Sequence, residues 1–327
     1  MRQAASGGRR QRVLLASGPV AGISPRASAI ALAEGFAEQA QVAVIGLADS
    51  GPALAQVVTE PDGEVERLSS GWVARDDDLL LVGSDPEAAL DPLGGSSAAL
   101  GRLVAYALSG GTPQRVVVDL TGPYSHDAGA GFLAELAPYA EALRAGDLVG
   151  VVAPGEQTDL LLGLRGITSR RGRTHGVPAD QMLAVDAALE RFAADTAPDQ
   201  AKTEGAGAAG GLGFAILALG GRLATGAVLS AEVARLDRAL AAADLVVTGC
   251  DSFDFGSGGG GVVAELGRRC ATFQVPLVVV SPVVGISGRE MRTLGVESAH
   301  PTTPGAEPAA ALTATARRLA DGWVPRW

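Results

Sequence analysis

Lysine is almost missing from this chain: Lys202 is the single one among 26 basic side chains in 327 residues, so arginine supplies nearly every cation. Cysteine is as scarce. Cys250 and Cys270 fall far short of a disulfide scaffold and lack metal-ligand spacing, which makes a reducing cytoplasm the expected compartment. The three histidines, His126, His175 and His300, are scattered and give no zinc pattern. Aromatic residues amount to 4%, no basic stripe carries an aromatic platform, and the formal charge is −10, so no nucleic-acid partner is expected. Long apolar runs are missing as well. The uncharged stretch 205–221 contains seven glycines and ends at Arg222, a poor membrane span, and no membrane partner is expected. The opening RRQRVLLASGPVAG resembles a twin-arginine export signal only superficially. Its apolar part is short and broken by Gly18 and Pro19, so Arg12 to Ala16 reads as the first strand and 1–11 as a disordered extension.

What is present is the composition of a globular protein, with 47% hydrophobic and 19% charged residues, at a length that favours two domains. Short runs of Val and Leu bounded by glycine alternate with helical patterns, as buried parallel strands with crossover helices do. Strands are expected at Val13 to Ala16, Val42 to Leu47, Val116 to Leu120, Leu148 to Val152, Leu245 to Thr248 and Leu277 to Val280. Ser230 to Ala242 reads as one helix, capped by Ser230, with Val233, Leu236 and Leu240 on a shared face. Asp62 to Val82 reads instead as short strands around an acidic turn at Asp76 to Asp78. The expected architecture is α/β. A Rossmann-like, doubly wound parallel sheet domain is built from 12–55 and 235–327, with a mixed α/β domain, 56–234, inserted between them.

Gly205, Gly207 and Gly210 match G-x-G-x-x-G by letter, but no strand precedes them and no acid follows at the distance a ribose requires. Gly256, Gly258 and Gly261 form a second match, nearer a strand but again not a good fingerprint, and the G-x-x-x-x-G-K-[ST] loop is absent. Three segments, Leu47 to Gly51, Asp119 to Gly131 and Thr248 to Gly261, each place glycine beside an acid just after an expected strand. Ligands of parallel α/β sheets bind at such carboxyl ends. Arg165, Arg170, Arg171 and Arg173 cluster, as a solvated loop or as a surface for a phosphate-bearing small molecule.

Taken in order, these segments closely resemble the bacterial glycerate kinase family of the two-domain α/β type. GAGAAGGLG at Gly205 to Gly213 is the most specific match. Val116 to Leu133 resembles the family's strand followed by GGSATNDGGAG, and Thr248, Gly249, Asp254 and Ser257 stand where the family has TGEGRLDAQT. Leu14 to Ser24 and Leu47 to Gly51 align as well. The resemblance implies phosphorylation of glycerate or a related hydroxy acid with ATP and Mg2+ as cofactors, the acid and the nucleotide being the small-molecule partners. It implies catalytic roles for Asp127, Asp254 and Asp49, with Asp127 and Asp254 binding metal. Gly205, Gly207, Gly210 and Gly211, with Ser257 and His175, would bind phosphate or substrate. The oligomeric state is not readable.

The chain also departs from the family pattern. PDSFKGS is replaced by Ser17 to Gly22, the glutamate of LADGGEG by Pro52, that of TGEG by Cys250, a later GK lysine by Gly261, and the FGPQKG lysine by His175. Phosphoryl transfer needs charge neutralised on the migrating group. A second reading, a catalytically silent relative that binds a ligand or partner without turnover, therefore stands beside the kinase. A nicotinamide-dependent oxidoreductase is a third. Cys250 has no histidine neighbour in sequence and reads as an inert thiol.

Overall fold

The protein is represented by a computed structural model that describes residues 10–59, 64–76, 78–87, 91–111 and 113–324. Most of the expected N-terminal extension, together with Asp62 and Asp77 of the acidic-turn segment, lies outside the described residues. The chain divides into two compact units, 1–49 with 227–327, and 50–226.

The first unit holds a five-stranded, all-parallel sheet in the order Ser298–Pro301, Leu277–Ser281, Leu245–Gly249, Arg12–Ser17, Gln41–Gly46. The two strands Leu245–Gly249 and Leu277–Ser281 are buried along their whole length, as continuous apolar runs covered on both faces must be. Alternation sorts their side chains. Val13, Leu15, Val247 and Val280 face helices Pro25–Phe36 and Pro308–Trp323, while Leu14, Ala16, Val246 and Val279 face helix Gly260–Phe273. Helix Pro25–Phe36 starts where the sequence signals a start: Ser24 Oγ accepts from the Ala27 amide, and proline occupies the first helical position.

The second unit holds a mixed six-stranded sheet in the order Glu64–Leu68, Gly71–Asp76, Leu79–Ser84, Arg115–Asp119, Asp147–Val151, Arg222–Ala224. Its first two junctions are antiparallel and the rest parallel. Trp72 is fully buried, and Val82, Val104, Val118, Phe132 and Leu212 form the centre of the main core.

One expected element is corrected. Ser230 to Ala242 is not one helix but two, Gly226–Val233 and Leu236–Leu240, separated by Arg235 in a left-handed conformation with φ 49°. Ser230 lies inside the first, where its hydroxyl accepts from the Ala48 amide at 3.3 Å instead of capping a start. The break rotates the chain, so Leu236 and Leu240 are buried while Val233 is exposed.

Candidate functional site

In the first unit, the strands Arg12–Ser17 and Leu245–Gly249 lie side by side, yet the helices that follow them pack on opposite faces of the sheet. Their carboxyl ends therefore part at a topological switch point, where an open α/β sheet forms its ligand crevice. A cleft of about 260 Å³ opens there, lined by Gly18, Asp49, Gly249, Asp251, Ser257 and Gly260 among others. Asp49 reaches across to the start of helix Gly260–Phe273, and its Oδ2 accepts from the Gly261 amide at 3.0 Å. Its Oδ1 is buried with no hydrogen-bond partner among the described residues. Burial raises the Asp49 pKa above the usual carboxylate value, while the Gly261 and Val262 amides pull it back. The loop before that helix needs glycine: Gly259 has φ 82°, and a Cβ there would lie 2.6 Å from Val263 Cγ2.

The same crevice is shaped by Asp254 and Asp251. Asp254 Oδ1 accepts from the amides of Gly256 at 2.9 Å and Ser257 at 2.8 Å, and its Oδ2 accepts from the Ser252 hydroxyl at 2.5 Å. The Ser252 hydroxyl, followed by the Ser257 amide, holds the Asp254 pKa below the ordinary value. Asp254 thus folds the loop that carries Ser257, whose own hydroxyl donates to the Ser252 carbonyl at 3.0 Å. Asp251 Oδ1 accepts from the Ala21 amide at 2.5 Å and pins a turn in which Ala21 is left-handed, with φ 48°. Cys250 is buried, and burial pushes its thiol up to about 11, in keeping with an inert thiol.

In the second unit, Asp127 sits at the start of helix Ala130–Leu136. Its Oδ2 accepts from the Ser97 amide and hydroxyl, each at 2.9 Å, and from the Gly131 amide at 3.3 Å, while Oδ1 accepts from the Gly129 amide at 3.0 Å. Both oxygens are engaged in tying the 125–131 loop to Ser97. The Gly205–Gly211 run is buried beside that loop. Gly210 has φ 70°, and a Cβ there would fall 1.7 Å from the Ser125 carbonyl oxygen, so glycine is required for two backbones to touch. The Gly207 amide is held by the Asp159 carbonyl at 2.9 Å, and the Ala209 amide by Glu156 Oε2 at 3.1 Å. The amide aimed at a carboxylate is thus that of Ala209. The glycines of the run serve close packing.

Of the clustered arginines, the one that reaches this loop is Arg171. Its Nη1 donates to the Ser125 carbonyl at 2.6 Å and lies 3.3 Å from His126 Nδ1, and its guanidinium stands 4.8 Å from the centroid of the Tyr124 ring. Glu156 attracts it electrostatically. Arg170 instead pairs with Asp159, Arg173 donates to the carbonyls of Ser169 and Leu164, and His175 is exposed at the end of helix Ile167–Thr174. The signal for Arg171 is helical spacing, since it stands four residues from Ile167 and three from Thr168, both buried. Lys202 is exposed on a short 3-10 turn, Gln200–Lys202. His126 is buried, with Nε2 3.0 Å from the Thr168 hydroxyl, and burial reinforced by the Arg171 cation lowers its pKa to about 4.

Comparison with known proteins decides the lineage. The sequence profile of the glycerate kinase family matches residues 141–322. An uncharacterized protein of Mycobacterium bovis is 30% identical over 277 residues, covering 77% of this chain and 72% of that protein. The chain belongs to the glycerate kinase family. The glycerate kinase of Bacillus subtilis is 26% identical over 302 residues, covering 80% of this chain and 78% of that one. The crystal structure of a protein assigned as glycerate kinase 2 from Salmonella typhimurium LT2 superposes with a TM-score of 0.76 at 20% identity, covering 96% of this chain and 98% of that chain, and so shows the shared two-domain α/β fold. Family membership supports a kinase, not an oxidoreductase. Among the described residues, no group of three or more His, Cys, Asp or Glu side chains converges on a metal position, and no helix is long and apolar enough to cross a membrane.

Proposed function

We propose that this member of the glycerate kinase family phosphorylates glycerate or a closely related hydroxy acid at the expense of MgATP. The observation that carries the reading is the switch-point crevice of the first unit, where a glycine-rich loop opens a helix and a carboxylate oxygen of Asp49 is buried with no partner among the described residues. Mg2+ is commonly held by one or two carboxylates together with substrate phosphates and waters rather than by an all-protein cage, so a single unmatched carboxylate suits it. ATP, when bound, supplies the phosphoryl group, and Mg2+ neutralises its developing charge.

In this reading Asp49 holds the metal, and the backbone of the Gly258–Gly261 loop approaches the phosphates. Ser257 contributes a hydroxyl at the crevice wall. Asp254 and Asp127, whose carboxylates already accept three and four hydrogen bonds, act as positioning residues, each fixing a loop of its own unit. Within the second unit Arg171 is a half-buried cation whose planar fork suits carboxylate or phosphate. Membership of the glycerate kinase family favours turnover over a silent relative. A coupled assay that follows ADP release with D-glycerate, Mg2+ and ATP tests the proposal. Turnover dependent on the acid supports it, and ligand binding without turnover would return the silent reading.

A further inference from the structure

A second cleft, of about 250 Å³, opens at the carboxyl end of the same sheet in the first unit, lined by Val20, Ala21, Pro282, Thr302, Pro304 and Leu312 among others. It shares a wall with the switch-point crevice. Pro19 lines the crevice, while the next two residues, Val20 and Ala21, line the second cleft. That wall is a defined turn, closed by paired backbone bonds between Val20 and Ile23 and by the bond from the Ala21 amide to Asp251. Asp251 itself lines the crevice, so one carboxylate holds the partition between the two spaces.

The chemistry of the two spaces differs. The crevice is lined by Asp49 and Asp251, whereas among the described residues no charged side chain lines the second cleft. The one charge in the segment 302–312, Glu307, accepts from the amides of Ala309 and Ala310 at the start of helix Pro308–Trp323. The floor of the cleft is largely apolar, with Val20, Ala311 and Leu312 buried beside the single hydroxyl of buried Thr302, and its rim carries the hydroxyl-bearing Thr303 and the prolines 282, 304 and 308. An apolar floor beneath a rim of neutral hydrogen-bonding groups suits a flat heteroaromatic ring with polar edges and disfavours a phosphate or a carboxylate, which would be desolvated without a counter-charge. Size gives the same answer. Pockets that enclose a whole drug-sized ligand measure roughly 300–1,000 Å³, so each cleft suits one part of a ligand rather than all of it.

Building on the kinase reading, we infer that the nucleotide is divided between the two spaces: its base lies in the 302–308 cleft, and its phosphates pass over the Pro19–Ala21 turn into the Asp49 crevice. Residues 302–308 are then the determinants of the base, and Asp251 is a positioning residue that holds the partition.

The test fills the second cleft from its exposed rim. Ala306→Trp and, separately, Thr303→Trp are titrated with ATP and with inorganic tripolyphosphate in the presence of Mg2+ by calorimetry, with thermal melts to confirm folding. A ligand anchored through its base loses affinity for ATP by about tenfold or more in each variant that melts as the wild type does, while tripolyphosphate, which has no base, binds within about twofold of wild type. Unchanged ATP affinity in a folded variant overturns the inference and leaves the kinase reading in place. Absence of ATP binding to the wild-type protein overturns the nucleotide reading itself.

Discussion

The Asp49 carboxylate and the Gly261 amide meet at 3.0 Å across 212 residues of sequence, joining the strand-end loop after Gln41–Gly46 to the first turn of helix Gly260–Phe273. One oxygen of that carboxylate secures a helix start, where a negative charge is favoured by the helix dipole, and the other is left buried and unmatched. Asp49→Asn keeps an acceptor for Gly261 but removes the charge that a divalent cation requires. The expected outcome is a fall in kcat of about 10²-fold or more with a raised Mg2+ requirement and little change in melting temperature. Steady-state kinetics over a Mg2+ series measure this, and a kcat within about threefold of wild type would overturn the proposed role of Asp49 in metal binding.

Gly210→Ala tests the reading of the glycine run as a packing device. The added Cβ would meet the Ser125 carbonyl oxygen at 1.7 Å, at a φ of 70° that L side chains rarely adopt. Neither backbone can retreat easily, since Ser125 is held by Arg171 and lies two residues from the Asp127 knot. A loss of at least about 2 kcal/mol of stability is expected. Urea unfolding measures it, and an unchanged midpoint would contradict the packing account.

Six parallel strands were legible as short runs rich in Val and Leu, whereas Ser298–Pro301 and Arg222–Ala224, which pair in parallel with no β-branched residue of their own, were not. Leu245–Gly249 and Leu277–Ser281 occur where such runs are read. The short strands that open the second sheet were legible from the change of pattern over Asp62 to Val82, though not their antiparallel pairing. The division of Ser230 to Ala242 was not, because Arg235 turns left-handed with no glycine or proline to mark it. Among site residues, the loops holding Asp49 and Asp254 were found from glycine beside acid. That Asp127 and Asp254 are saturated by amides and hydroxyls depends on Ser97 and Ser252, and the Ser97 partnership spans 30 residues, beyond any local motif. Arg171 stood in plain view within a cluster of arginines, but only the helix that turns it toward Ser125 distinguishes it from Arg170 and Arg173.

Burial pushes the thiols of Cys250 and Cys270 up to about 11 and about 12, so both are protonated at neutral pH, and thiolate is the reacting form. Native protein at pH 7 is expected to react with a thiol reagent far more slowly than the same protein in denaturant, where both cysteines label. Stopped-flow absorbance with an aromatic disulfide reagent measures the two rates. Rapid labelling of one thiol in the native protein would show that Cys250 is accessible from the crevice and lower in pKa than its burial dictates.

His126 gives the second unit a pH dependence whose sign is fixed by its burial. Its pKa falls from 6.5 to about 4 on folding, through desolvation first and the Arg171 cation second, with the carboxylates of Asp127 and Asp91 opposing. Between those values the unfolded chain binds a proton that the folded chain refuses. The stabilisation is therefore complete above pH 6.5 and is lost as the pH falls toward about 4, a change of at most about 3 kcal/mol. Asp49 and Asp119, raised by burial, act in the opposite sense, since the stability tied to their protonated forms is lost as pH rises above the usual carboxylate value. Comparing wild type with His126→Gln cancels those contributions, because glutamine retains a hydrogen-bonding partner for Thr168 but does not titrate. Urea midpoints at pH 7 and pH 4.5 are expected to fall less in the variant than in the wild type, and equal falls would mean that His126 is protonated inside the folded unit.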